Sequence, residues 1–253
     1  MNASSARILN PPRNGLFKIG GAAALVCAGM YFVSLAVYLP AYRVGPPPAT
    51  VLEWFTLFQA KPLTGLFFLG LADIIITLLW GPMSLALYAA LKQFHPAGTM
   101  IATTFVFVGM AFFLATNQAF AMLYLSRQFT AATTEAQRSG LLSAGQALVA
   151  VTEGARMLPL IPLAGLIFST TMLRSKIFGK MTAWVGIVGL GLLAASGLVA
   201  GYATAGPTTA INTIIVGITY AGGGLLSLVW YILTGLRLIN LDGWMEDVAV
   251  ATG

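Results

Sequence analysis

Six long stretches of this chain are almost free of ionisable residues, and that absence fixes the class of fold. They run at about residues 17–39, 63–91, 98–125, 141–173, 182–204 and 210–236, and about 20 mainly apolar residues suffice to carry a helix across a bilayer. Only 8% of the 253 residues are charged while 58% are hydrophobic, against roughly 25% charged in an average soluble domain. A soluble chain of this size needs more polar surface. The expected fold is all-α, a single polytopic bundle of six transmembrane helices over residues 1–253. The expected address is the cell (inner) membrane, with the lipid bilayer as first partner. The first stretch is too long for a signal-peptide core and lacks a clear cleavage site, so it reads as a retained helix.

Lysine and arginine in the connecting segments give an orientation. Eight of the thirteen fall on one side: Arg7, Arg13, Lys18, Lys92, Arg174, Lys176, Lys180 and Arg237. Arg43, Lys61, Arg127 and Arg138 fall on the other, and Arg156 lies within an apolar stretch. Both termini are therefore expected in the cytoplasm, with "RSKIFGK" as the strongest anchor. The pI near 9.7 reflects these loops. No run of like charges and no basic–aromatic pattern points to nucleic acid.

Several segments carry local signals. "YRVGPPPAT" holds three consecutive prolines and is extended and stiff. It leads into "VLEWFTLFQ", whose Trp54, Phe55 and Phe58 form either a short helix in the outer headgroup zone or an aromatic belt opening the second span. The fourth stretch is too long for one crossing. "TTEAQ" before it has the spacing of a capping box, Thr134 with Gln137, and starts a helix near residue 135. Gly154, Pro159 and Pro162 then interrupt that helix. "GLVAG" at 197–201 and "GGG" at 222–224 suit close helix packing. "GPPPAT" and "GPTTAI" are too weakly alike to mark a duplication. "LDGWMEDVAVATG" reads as a short cytoplasmic tail.

Ionisable side chains inside a span are expensive, and each calls for an account. Asp73, Glu153 and Arg156 are the three. Counted from the outer ends of their spans, they lie about ten, twelve and fifteen residues in, with Asn117 and Gln118 about eight residues in. Spans two, three and four thus place polar groups at similar depth. Ser139, Ser143, Gln146, Glu153 and Arg156 follow helical spacing, and so do Asp73, Thr77 and Ser84. Such stripes line either a hydrated funnel open to the exterior or a dry helix seam. With both carboxylates ionised the cluster carries one uncompensated negative charge. A bound proton, a cationic ligand or water must then offset it. The other reading is structural: Glu153 and Arg156 pair three residues apart on one helix, and Asp73 joins Arg156 across the seam.

The familiar membrane chemistries lack their reactive groups. His95, the one histidine, sits in a turn, and Cys27, the one cysteine, sits in the first span. No second histidine exists for haem, no zinc pattern occurs, and no histidine in a span supports a serine protease. No lysine in the last span could hold retinal, and phosphate-binding glycine loops are missing. The expectation is a protein that is not an enzyme, with no cofactor and no metal.

Two stretches carry a resemblance. "LALYAALKQFHPAG" is an apolar helix running into a short basic turn, and "LRSKIFGKMTAWVGIVGLGLLAAS" is a basic turn followed by a glycine-bearing helix. Their order resembles an uncharacterised family of bacterial six-span membrane proteins, a domain of unknown function. That family also tends to carry polar residues in spans three and four, where Asn117, Gln118, Glu153 and Arg156 stand here. The resemblance implies a fold and a membrane address but no activity. Two functions are expected on the residues themselves. One is binding of a small solute, cation or proton at Asp73, Asn117, Gln118, Gln146, Glu153 and Arg156. The other is an accessory or scaffold subunit that meets a membrane-protein partner through the small-residue faces of the last two spans.

Overall fold

The computed structural model describes residues 14–44, 48–155, 158–205 and 210–251, without the side chains of 14, 35–44, 153–155, 200–205, 210–214, 216 and 242–251. These residues form ten helices and no strand: α1 (Asn14–Val44), α2 (Val51–Ala60), α3 (Pro62–Phe68), α4 (Leu71–Leu91), α5 (Pro96–Thr116), α6 (Ala119–Ala131), α7 (Glu135–Ala155), α8 (Leu160–Arg174), α9 (Lys180–Ala205) and α10 (Ala210–Ala251). Five stretches are long and apolar enough to cross a membrane: Gly15–Ser34, Leu71–Leu91, Pro96–Ala131, Lys180–Val199 and Gly217–Leu241. The chain is a multi-pass membrane protein. The apolar α8 has 15 residues and is about 22 Å long, short of a bilayer core of about 30 Å.

The three central apolar stretches are broken helices, and each break has a local cause. Gly70 sits at φ 94, in the left-handed region, and divides 63–91 into α3 and α4; a side chain there is strained by Cβ contact with the backbone. Asn117 is extended at φ −74, ψ 118 and divides 98–125 into α5 and α6. Pro159 stands at the cap of α8, with Pro162 in its first turn, where a missing N–H costs no intrahelical bond.

Six helices close into a ring. In order, α1, α4, α5, α8, α9 and α10 each pack on the next, and α10 returns to α1. Close approach needs glycine at the closure: a methyl on Gly21 would lie 2.7 Å from the Gly235 carbonyl oxygen. Gly223 of α10 likewise meets the backbone of Gly189 on α9. These small residues of the last two spans serve a contact inside the chain, while Gly217 and Gly224 meet nothing within 4 Å. Trp80, Phe168, Trp230 and Tyr231 fill the ring with almost no exposure.

A second, smaller core lies beside the ring. Phe55, Phe58, Leu66, Ala119 and Met122 are buried together, with α7 closing over them through Leu141, Leu142 and Leu148. Helices α2, α3, α6 and α7 therefore form a cap. "VLEWFTLFQ" is its own helix, opened by Thr50, whose Oγ1 accepts from the Glu53 N–H at 3.2 Å. Phe55 and Phe58 face this core, so two of the three aromatics in the expected headgroup belt are core residues. Phe55 and Phe129 are 5.3 Å apart.

Both ends of the connections follow their sequence signals. Thr134 and Gln137 form the reciprocal capping box: the Gln137 N–H donates to Thr134 Oγ1, and the Thr134 N–H to Gln137 Oε1, each at 3.3 Å. Helix α7 accordingly starts at Glu135. His95 caps α5, its Nδ1 accepting from the Gly98 N–H at 2.8 Å. The segment "LDGWMEDVAVA" continues α10 instead of forming a separate tail.

Candidate functional site

The polar residues of spans two and three meet where those spans break. Asp73 lies in the first turn of α4 and is half-buried. Asn117 ends α5. A methyl placed on Gly70 would lie 3.2 Å from Asn117 Nδ2 and 3.3 Å from Asp73 Oδ2. The carboxylate and the amide thus share the space that the missing glycine side chain leaves open.

Asn117 does structural work at both ends of its amide. Its Nδ2 donates to the Leu69 carbonyl at 3.1 Å, and its Oδ1 accepts from the Ala119 N–H at 3.1 Å. The first bond occupies a carbonyl that the α3–α4 break releases. The second caps α6. Gln118, the next residue, is half-buried and gives α6 no side-chain cap.

The break at Gly70 places Asp73 in the first turn of the membrane-length helix α4, so the apolar stretch before it belongs to a separate helix, α3. At that position Asp73 faces the positive pole of α4, which favours a carboxylate in the first turn by about 0.3–1 kcal/mol when exposed and more when partly buried. The backbone dipole itself offsets part of the Asp73 charge.

The stripe on α7 points outward. Ser139, Ser143 and Gln146 are all exposed, and the Ser143 hydroxyl is spent on the Ser139 carbonyl at 3.0 Å. The face of α7 turned to the protein carries Gly145, set against Val51 and Phe55. In its described part the stripe is an exposed face and not a dry seam within the chain. Glu153 lies in the last turn of α7, its side chain outside the described residues, and Arg156 is outside them altogether. Of the stripe on α4, Thr77 and Ser84 are buried.

A second polar concentration occupies the middle of the ring, built without an acidic or basic side chain. Trp80 Nε1 donates to the Tyr231 hydroxyl at 2.8 Å. Trp80 and Trp230 stack at 5.7 Å and 19°, and Tyr31 sits 5.6 Å from Tyr231. Around them Ser169 Oγ, Ser227 Oγ, Trp230 Nε1 and Thr234 Oγ1 are buried with no hydrogen-bond partner among the described residues. Ser169 and Trp230 both press on the bare α-carbon of Gly186. Serine, threonine and tryptophan are common in apolar helices, so no sequence signal singled these out. Their mutual spacing along α10 (227, 230, 231, 234) does mark one helix face.

The cap holds a groove of about 380 Å³ between α2 and α6, lined by Phe58, Gln59, Pro62, Ser126, Arg127 and Thr130 among others. No group of three or more potential metal ligands occurs among the described residues. No family model, curated protein or solved structure matches this chain, so the site is read from its own geometry.

Proposed function

We propose that the chain crosses the cell membrane six times with both ends in the cytoplasm, and binds a small cation or a cationic solute at its outer break layer. The observation that carries this reading is the meeting of Asp73 and Asn117 at Gly70. Discontinuous helices with freed backbone groups are a recurring way to hold an ion or a charged solute in a membrane protein. Here two adjoining spans break beside a carboxylate and a third breaks after Glu153. The eight-to-four bias of lysine and arginine supports the orientation, with α8 making the sixth crossing together with the residues before it. The six-span layout is also what the family resemblance implies. We read the protein as a binder and not an enzyme.

An accessory-subunit reading rests on a different observation. Asn117 spends its amide on Leu69 and Ala119, which makes the layer a pin between broken helices even without a ligand. Thermal unfolding of the purified full-length protein separates the two. Sodium, potassium and ethylammonium are the probes. Binding at ten times Kd stabilises by about 1.4 kcal/mol, a rise of about 3–6 °C in a chain of this size. That rise is expected for one probe and is expected to vanish in Asp73→Asn. No rise with any probe, or an equal rise in Asp73→Asn, returns the decision to the accessory reading.

A further inference from the structure

A groove of about 340 Å³ runs along the outside of the ring between α4 and α5. Leu85 and Tyr88 form one wall, and Met100, Thr103, Thr104 and Phe107 form the other. Both helices are membrane-length and apolar, so the groove opens toward lipid. Its two threonines are spent: Thr103 donates to the Thr99 carbonyl at 2.8 Å and Thr104 to the Met100 carbonyl at 3.0 Å. What remains is an apolar channel in a lipid-facing wall, which suits a hydrocarbon chain.

One end of the channel is charged. Lys92, at the C-cap of α4, places its ammonium 5.8 Å from the centroid of the Tyr88 ring, the same ring that lines the groove. Lys92 pairs with no carboxylate among the described residues, and the Tyr88 hydroxyl has no protein partner among them. Helix α5 begins at Pro96, just past Lys92, and its positive pole meets the negative pole of α4 there, so the charge at this end is that of Lys92 itself. A hydrocarbon groove with a cation and a phenol at its mouth matches one molecule of the surrounding bilayer, head and tail together.

We propose that this groove is a binding site for a single anionic phospholipid, with an acyl chain between α4 and α5 and its phosphate at Lys92 and Tyr88. The site is independent of the break layer and of any ligand there. A neutral lipid fills the same groove without the charge contact, and one lysine beside an anionic headgroup is worth about 1 kcal/mol, a factor of about five in affinity.

Native mass spectrometry of the purified full-length protein, titrated with phosphatidylglycerol or phosphatidylcholine of matched chains, tests this. The first phosphatidylglycerol is expected to bind about fivefold more tightly than the first phosphatidylcholine. Lys92→Gln brings the two to parity. Thr104→Trp, a change at an exposed position that fills the groove, removes the first tight event for both lipids. Lys176→Gln, in the basic loop away from the groove, leaves it alone. Four results overturn the site: equal first affinities in the unaltered protein, an unchanged preference in Lys92→Gln, an undiminished first event in Thr104→Trp, or an equal loss in Lys176→Gln. If Thr104→Trp instead releases a co-purifying protein and leaves lipid retention intact, the groove is a protein interface and the proposal fails.

Discussion

Asn117 donates its side-chain amide to the carbonyl of Leu69 at 3.1 Å, and this bond fastens the break in one span to the break in its neighbour. Asn117→Ala deletes that bond and the cap on α6 together. Leaving a buried or half-buried acceptor unsatisfied costs about 1–3 kcal/mol, so the melting temperature in detergent should fall by several degrees. Asn117→Asp keeps the acceptor for Ala119 but turns a carboxylate oxygen on the Leu69 carbonyl and sets a second carboxylate beside Asp73, and should cost at least as much. A melting temperature unchanged in Asn117→Ala would show that the breaks are held by something else.

Gly70 should tolerate no side chain. At φ 94 an alanine costs roughly 1–2 kcal/mol in backbone strain, before it crowds Asn117 and Asp73. Gly70→Ala is therefore expected to destabilise more than Gly217→Ala, where nothing lies within 4 Å. Equal denaturation midpoints for the two would count against the left-handed break.

The buried centre of the ring predicts two opposite effects from similar small deletions. Tyr231→Phe removes the acceptor of Trp80 Nε1 and should cost about 1–3 kcal/mol. Ser169→Ala removes a hydroxyl without a partner among the described residues, and should be neutral or stabilising. Gly186→Ala drives a methyl into Ser169 and Trp230 and should be the most damaging of the three. The order of their melting temperatures is the measurement, and Ser169→Ala below Tyr231→Phe is the outcome that contradicts it.

The capping box at the start of α7 predicts a local effect. Thr134→Ala should cost about 1 kcal/mol, felt as faster amide exchange in the first turn of α7 and not in α4 or α9. Uniform acceleration across the chain would place Thr134 in a global role that its position outside both cores does not support.

Orientation is testable with single cysteines on a Cys27→Ser background. Ser139→Cys should react with a membrane-impermeant maleimide added to intact cells, and Lys176→Cys only after lysis. Labelling of both before lysis rejects a cytoplasmic position for the α8–α9 loop.

The membrane class, the start of α7 and the interruption near Pro159 were legible because each rests on a local rule: window length, a paired cap, a proline. The breaks at Gly70 and Asn117 were not. A glycine within an apolar run is compatible with a continuous helix, and its left-handed conformation is decided by what α3 packs against. Asn117 was visible as a polar residue in a span, but its role as a pin depends on Leu69, 48 residues away. The outward face of the α7 stripe and the inward face of Phe55 share a cause. Helical spacing says which residues share a side, and only the partner helix says which side is covered.

The separate core of the cap has a consequence for how the chain is made. Phe55 finds Phe129 only after roughly 75 further residues have been synthesised, and α7 closes over both later still. At about 5–20 residues per second, the aromatic face of α2 waits about 4–15 s for its partner while α4 and α5 enter the membrane between them. The biosynthetic machinery must shelter that face for the interval, and a stall in translation after α5 would leave it bare.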